Sequence, residues 1–300
     1  MEMLQVYSLV RRETDTLSLH RLVQAVQQAA LTEEEQRLWA ERTVLLLSAA
    51  FPTPPPMTWE RCQLLVPHAL LCAGYIEHWG FAFPGAESLL HHAGRYLYER
   101  AAYEQAVPLL QQVLTLREQT LGPIHADVAL SLNDLGDLFL AQGQHTEALP
   151  LYQRALVIKE QVLGPHHPEV AWNLSGLAEL YRAQGQYTEA LSLYQRALTI
   201  REHALGPAPP DVALILDSLA RLYEEQGRLD EALPLVQRAL TIWQHALPDH
   251  PNTTTAQEHV VALLHRIEST AAASVEGPTG VNGTSSAQDE LPASESSRPR

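Results

Sequence analysis

The chain has 300 residues, enough for one large domain or two modest ones at roughly 100–200 residues each. Its 35 acidic and 20 basic residues give a formal net charge of −15. That balance argues against nucleic-acid binding, which needs a basic stripe to displace counterions, and against anionic membrane surfaces. Acidity of this kind keeps a protein soluble. No apolar run reaches the ~20 residues that span a bilayer, and Met1 to Val10 lacks the basic-then-apolar layout of a signal peptide. The only two cysteines, Cys62 and Cys72, fall on one expected helix, too far apart to bridge each other. A reducing, cytoplasmic setting is therefore expected.

In chain order, Leu4 to Val10 and Thr16 to His20 alternate weakly around a polar turn at Thr14-Asp15, which reads as a β-hairpin. Arg21 to Ala30 follows as a helix. Residues 33–50 and 57–78 read as two more helices, broken apart by the run Pro52 to Pro56. They are expected to form a divergent helical pair, 32–83, stacked before more regular units.

From there a repeat dominates. Leu-Gly-Pro occurs at 121, 163 and 205, each 42 residues after the last, with a worn copy at Leu247-Pro248. Between these marks the text recurs: EALPLYQRALVIKE from Glu147, EALSLYQRALTIRE from Glu189, EALPLVQRALTIWQ from Glu231, and a diverged QAVPLLQQVLTLRE from Gln105. Each unit reads as two helices. Val128, Leu132, Leu135 and Phe139 have helical spacing, and Gly143 ends that helix in a left-handed conformation. Leu149, Tyr152, Leu156 and Val157 form the stripe of the second helix, which Gly164-Pro165 terminates. Pro168 suits the first turn of the next helix. Small residues recur at Gly136, Ala148 and Ala155, at Ala178, Ala190 and Ala197, and at Ala220, Ala232 and Ala239. Bulky Phe139, Tyr181, Tyr223, Tyr152 and Tyr194 stand between them. Close helix crossings need a small side chain beside a bulky one that fills the adjoining space.

The pattern Leu135-Gly136, Phe139, Ala148, Tyr152, Ala155 resembles the tetratricopeptide repeat. The 42-residue unit and the linker Leu163 to Ala171 resemble the variety found in kinesin light chains and bacterial signalling proteins. The resemblance covers roughly Pro84 to Glu268. It implies an all-α, right-handed solenoid, with repeats over 84–268 closed by a capping helix, Thr254 to Glu268. Two departures stand out: Ala101 replaces the glycine of later units, and the last unit stops after one helix. Residues 269–300, rich in Ser, Ala, Gly, Pro and Thr, cannot bury enough apolar area to offset chain entropy and are expected to be disordered.

The run Tyr7 to Val26, with Trp39 to Arg42 and Leu65 to Ala69, resembles the end of the winged-helix segment in NB-ARC-type (STAND) signalling NTPases. It implies that residues 1–31 are a small winged-helix remnant. A phosphate-binding loop needs G-x-x-x-x-G-K-[ST], and the single lysine, Lys159, sits mid-repeat. The resemblance thus implies the sensor part of such a switch, whose nucleotide-binding NTPase module is absent from this sequence and is supplied upstream or in trans. Whether as a fragment, a split gene product or a standalone protein stays open.

No catalytic constellation emerges. The 14 histidines include adjacent pairs at His91-His92 and His166-His167, but no Cys/His spacing fits a zinc site, and no cofactor or metal is expected. Cys62 lies in an apolar helical stretch without a base. The family resemblance instead places a concave groove at the second, fifth, ninth and twelfth positions of each unit, which fall on one helical face. These are Ser88, His91, Arg95 and Tyr98; Leu130, Asn133, Asp137 and Leu140; Trp172, Ser175, Glu179 and Arg182; and Leu214, Asp217, Arg221 and Glu224. The arginines are interrupted by acids, so no basic clamp forms for a C-terminal carboxylate. The reading is a non-enzymatic scaffold or sensor that binds an extended peptide or protein surface, with Trp172 as candidate anchor.

Overall fold

The computed structural model describes residues 10–13, 16–19, 30–52, 59–206 and 208–275. Two antiparallel strands, β1 (Val10–Glu13) and β2 (Thr16–Leu19), pair Val10 with Leu19 and Glu13 with Thr16. A hairpin is expected here, but β1 runs on from Val10 to Glu13. Residues 1–9 and 20–29, with most of the expected Arg21–Ala30 helix, lie outside the described residues.

The other described elements are helices: α1 (Glu33–Ala50), α2 (Trp59–Trp79), α3 (Pro84–Glu99), α4 (Tyr103–Leu121), α5 (Ala126–Ala141), α6 (His145–Leu163), α7 (Pro168–Ala183), α8 (Tyr187–Leu205), α9 (Pro210–Glu225), α10 (Leu229–Ala246) and α11 (Pro251–Val275). The chain is a tetratricopeptide-like solenoid of helix pairs. From α3 onward each helix packs on the next, and the first helices of successive units touch, α5 on α7 and α7 on α9. The pair α1/α2 meets α3 and α4 in the same way. No helix among the described residues is long and apolar enough to cross a membrane.

Helix starts and stops follow local chemistry. Thr32 and Glu35 form a reciprocal capping box that opens α1. Pro84, Pro168 and Pro210 occupy the first turns of α3, α7 and α9, where a missing N–H costs nothing. His125 and His167 are N-caps. Each ring Nδ1 accepts from a backbone N–H of the first turn, of Asp127 and Glu169 respectively, at 3.2 Å. His250 does the same for Asn252. Helix α11 runs beyond the expected Thr254–Glu268 at both ends, and so enters the segment expected to be disordered. Three consecutive alanines after Thr270 favour this continuation. Residues 276–300 lie outside the described residues.

The core is built from alanine against larger side chains. Ala148, Ala155, Ala190, Ala197, Ala232 and Ala239, on the second helices, have no exposed surface. Tyr152 is buried between two glycines: a Cβ on Gly136 would come within 3.0 Å of its ring, and one on Gly176 within 2.7 Å. Polar links repeat with the same period. Arg154, Arg196 and Arg238 reach back to Glu118, Glu160 and Glu202 of the preceding unit at 2.5–2.6 Å. These exposed pairs contribute at most about 1 kcal/mol each. Lys159 is buried, with its Nζ 3.3 Å from Glu169, and Arg201 pairs likewise with Asp211 at 2.6 Å. The lone lysine is thus a repeat-linking residue.

Ala101 ends the first helix of its unit with φ 56°, the left-handed conformation that Gly143, Gly185 and Gly227 adopt at 71–74°. A β-carbon there costs roughly 1–2 kcal/mol, against a smaller entropic cost of glycine. Ala101→Gly is expected to stabilise the protein by about 1 kcal/mol in urea unfolding.

Candidate functional site

The first helices α5, α7 and α9, together with α11, line a half-open cavity of about 690 Å³. Asn133 and Asp137 enter from α5, Trp172 and Ser175 from α7, and Leu214, Asp217, Arg221 and Glu224 from α9. Eight of the expected groove residues therefore share one hollow. Ser88, His91, Arg95, Tyr98, Leu130, Leu140, Glu179 and Arg182 lie outside its lining.

Several of these side chains hold the solenoid together. Asn133 and Asn173 exchange reciprocal amide hydrogen bonds at 2.7 and 2.9 Å, fixing α5 against α7, and both are buried. Arg182 bridges Glu179 of its own helix to Glu225 of α9. Arg95 and His91 both contact Asp134, at 3.1 and 2.9 Å, joining α3 to α5. The guanidinium of Arg95 also lies 5.6 Å from the Tyr98 ring centroid. Ser175 donates within its own helix to the carbonyl of Ala171 at 3.0 Å.

Two acids are held by tyrosines from the second helix of the same unit. Tyr152 donates to Asp137 at 2.5 Å and Tyr194 to Glu179 at 2.7 Å. In the third unit Arg221 stands in place of the acid and Val236 in place of the tyrosine, so the clamp is lost. Burial pushes the Asp137 carboxyl up to about 6, reinforced by Asp134 and opposed by Tyr152 and Arg95. Glu179 differs. Burial raises it, but hydrogen bonds from Arg182 and Tyr194 outweigh that and hold it below the usual range. Burial also raises Asp217, opposed by the Trp243 hydrogen bond and by His259 and Arg221. Its Oδ2 receives only a long 3.4 Å bond from the Trp243 indole, and its Oδ1 is buried without a partner. Trp172 is 52% exposed, and Leu130 and Leu214 are partly exposed on the same side.

Sequence reasoning missed the far wall. Asn252, Thr255 and His259 of α11 line the cavity, and His259 and Arg266 each bind Glu224 at 2.5 Å. The text of α11 departs from the repeat, so periodicity assigned it no groove positions. The tyrosine clamps had a legible signal: an acid fifteen residues before each repeated tyrosine. Among the described residues, no group of three or more His, Cys, Asp or Glu could hold a metal ion.

This architecture has known counterparts. The tetratricopeptide repeat profile matches residues 85–161, 127–203 and 211–274. The chain belongs to the tetratricopeptide repeat family. No curated protein sequence matches it. Among solved structures, a point variant of the nearly identical TPR-like repeats assigned to a kinesin light chain of Podosopora anserina superposes with a TM-score of 0.56 at 22% identity, covering 72% of this chain and 99% of that one. BtubC (BKLC) from P. vanneervenii superposes at 0.52 with 18% identity, covering 84% and 99%. These likenesses concern the fold.

The clamp generates two expectations. A methyl group at Gly176 would collide with a tyrosine ring already bounded by Gly136. Gly176→Ala is therefore expected to cost about 1–3 kcal/mol in urea unfolding. The folded state raises the Asp137 carboxyl from its ordinary 3.8 to about 6, so the native protein binds the proton more tightly than the unfolded chain. Stability attributable to this group is present at low pH and falls as pH rises through that window. Asp137→Asn should gain on wild type by on the order of 1 kcal/mol between pH about 4 and about 7. Equal pH slopes for the two proteins would contradict this.

Proposed function

We propose that this chain is a non-catalytic interaction module that captures an extended peptide, or a protein surface, in the hollow formed by the first helices of its repeats. The observation that carries this reading is Trp172. It is half exposed on the wall of a cavity of about 690 Å³, where the fold makes little use of it. Exposed aromatic side chains beside a concave, partly apolar surface are the groups that anchor partners. Leu214 widens the apolar part of that wall, and the polar groups around it supply orientation.

Not every groove position is a fair probe. Asn133 and Arg182 join neighbouring units, so replacing them disturbs the solenoid as well as the hollow. Trp172 and Leu214 carry no such link. The double variant Trp172→Ala, Leu214→Ala is expected to keep its helical circular dichroism and lose at least about tenfold in affinity for any partner captured through the hollow, about 1.4 kcal/mol or more. Undiminished capture of such a partner by this variant would remove the assignment.

A second reading treats the chain as the regulatory part of a STAND-type NTPase switch, with an NTPase module in trans. The hairpin Val10–Leu19, inside the run that resembles the winged-helix segment, supports it. Co-purification of a nucleotide-binding partner encoded beside this chain is the expected result, and its absence would leave the plain scaffold. We place the protein in the cytoplasm, a setting compatible with Cys62 and Cys72 as buried thiols outside any disulfide.

A further inference from the structure

We propose that the cavity is a subsite for one cationic side chain, an arginine or lysine of an extended peptide, held by the carboxylates of Asp217 and Asp137 against the indole of Trp172. This rests on the reading that the hollow captures peptides, and specifies the chemistry of one position.

The charged groups of the wall divide into satisfied and unsatisfied. Asp211 is paired with Arg201, and Glu224 is bound by both His259 and Arg266. Among the described residues, Asp217 and Asp137 are in no ion pair. Asp137 has one hydrogen bond, from the neutral Tyr152 hydroxyl. Asp217 has one long bond from an indole N–H and a buried oxygen with no partner. A buried, unpartnered carboxylate oxygen is costly and uncommon in a folded protein. Burial holds both carboxyls above their ordinary range, although Arg95 acts against the shift at Asp137 and His259 and Arg221 act against it at Asp217. A guest cation would add the direct ion pair that neither acid has among the described residues.

Arg221, one turn along α9 from Asp217 and exposed to solvent, is the one arginine of the lining that makes no direct ion pair among the described residues, though its charge acts on Asp217 and Glu179. Two carboxylates against one arginine leave the unsatisfied groups net negative. An anionic guest would bring its charge up to both acids, whereas a cationic guest meets both. Trp172 adds a ring face that attracts a guanidinium or ammonium through its quadrupole. The guest is organic, since among the described residues no three His, Cys, Asp or Glu gather as a metal site. The cavity exceeds one side chain in volume, which leaves room for the flanking peptide backbone. The chain's charge of −15 steers cationic segments towards it.

The test begins with random nonapeptides on phage, selected against the full chain. Selected peptides are expected to share an arginine or lysine at one position. Calorimetry on a synthetic selected peptide should show at least about tenfold weaker binding when that residue is replaced by uncharged citrulline or glutamine. Asp217→Asn with Asp137→Asn should weaken the cationic peptide by a similar factor and leave its uncharged counterpart unchanged, which also shows that the variant is folded. Arg221→Gln should tighten the cationic peptide. Selected peptides that share Asp or Glu and depend on Arg221, or that depend on Trp172 with no shared charge, would overturn the cation subsite and keep the groove. Agmatine binding as tightly as the peptide would overturn the peptide as source of the cation. Peptides indifferent to Trp172→Ala and to every cavity substitution, or no selected peptide at all, would overturn the groove reading and this inference with it.

Discussion

Neighbouring helices in this solenoid approach so closely that only a hydrogen or a methyl group fits at the crossing points. Ala148, Ala155, Ala190 and Ala197 are wholly buried because the facing helix leaves no room for more. The space beside each crossing must then be filled by something large, and Tyr152 and Tyr194 fill it. A tyrosine carries a hydroxyl into that buried position, and the hydroxyl needs a partner. Asp137 and Glu179, on the hollow side of the first helices, provide it. A steric requirement of the core thus fixes the orientation of two carboxylates in the groove.

Electrostatics separates the links between units from the hollow. Arginines of the second helices pair with glutamates of the unit before, rung after rung, and Lys159 and Arg201 pair with the acid that opens the next first helix. The hollow keeps two partly buried acids, Asp137 and Asp217, that are in no direct ion pair among the described residues, and a tryptophan whose apolar surface stays half in water. Both features weigh against the isolated chain and in favour of a complex.

The third unit breaks the pattern in a useful way. Arg221 and Val236 replace the acid and tyrosine of the earlier units, and Trp243 takes the place of the buried cation. Its indole N–H turns to Asp217 across a long bond, and α11 then closes over the end of the groove.

The repeat architecture was legible in the residues alone. Leu-Gly-Pro every 42 residues, alanines at fixed offsets and proline or glycine at helix ends are local signals, and local sterics decide where a helix starts, stops or permits a close neighbour. The same arithmetic placed eight of the cavity residues on one face. It could not separate Asn133, locked to Asn173 from forty residues away, from Trp172, which half faces water, since both hold groove positions and differ only in what surrounds them. Nor could it recruit His259 and Asn252, which lie on a helix outside the period, or find the unpartnered oxygen of Asp217. Periodicity fixes the direction in which a side chain leaves its helix. Its partners, its burial and its charge balance depend on side chains brought in from other units, and only the stacked structure decides those.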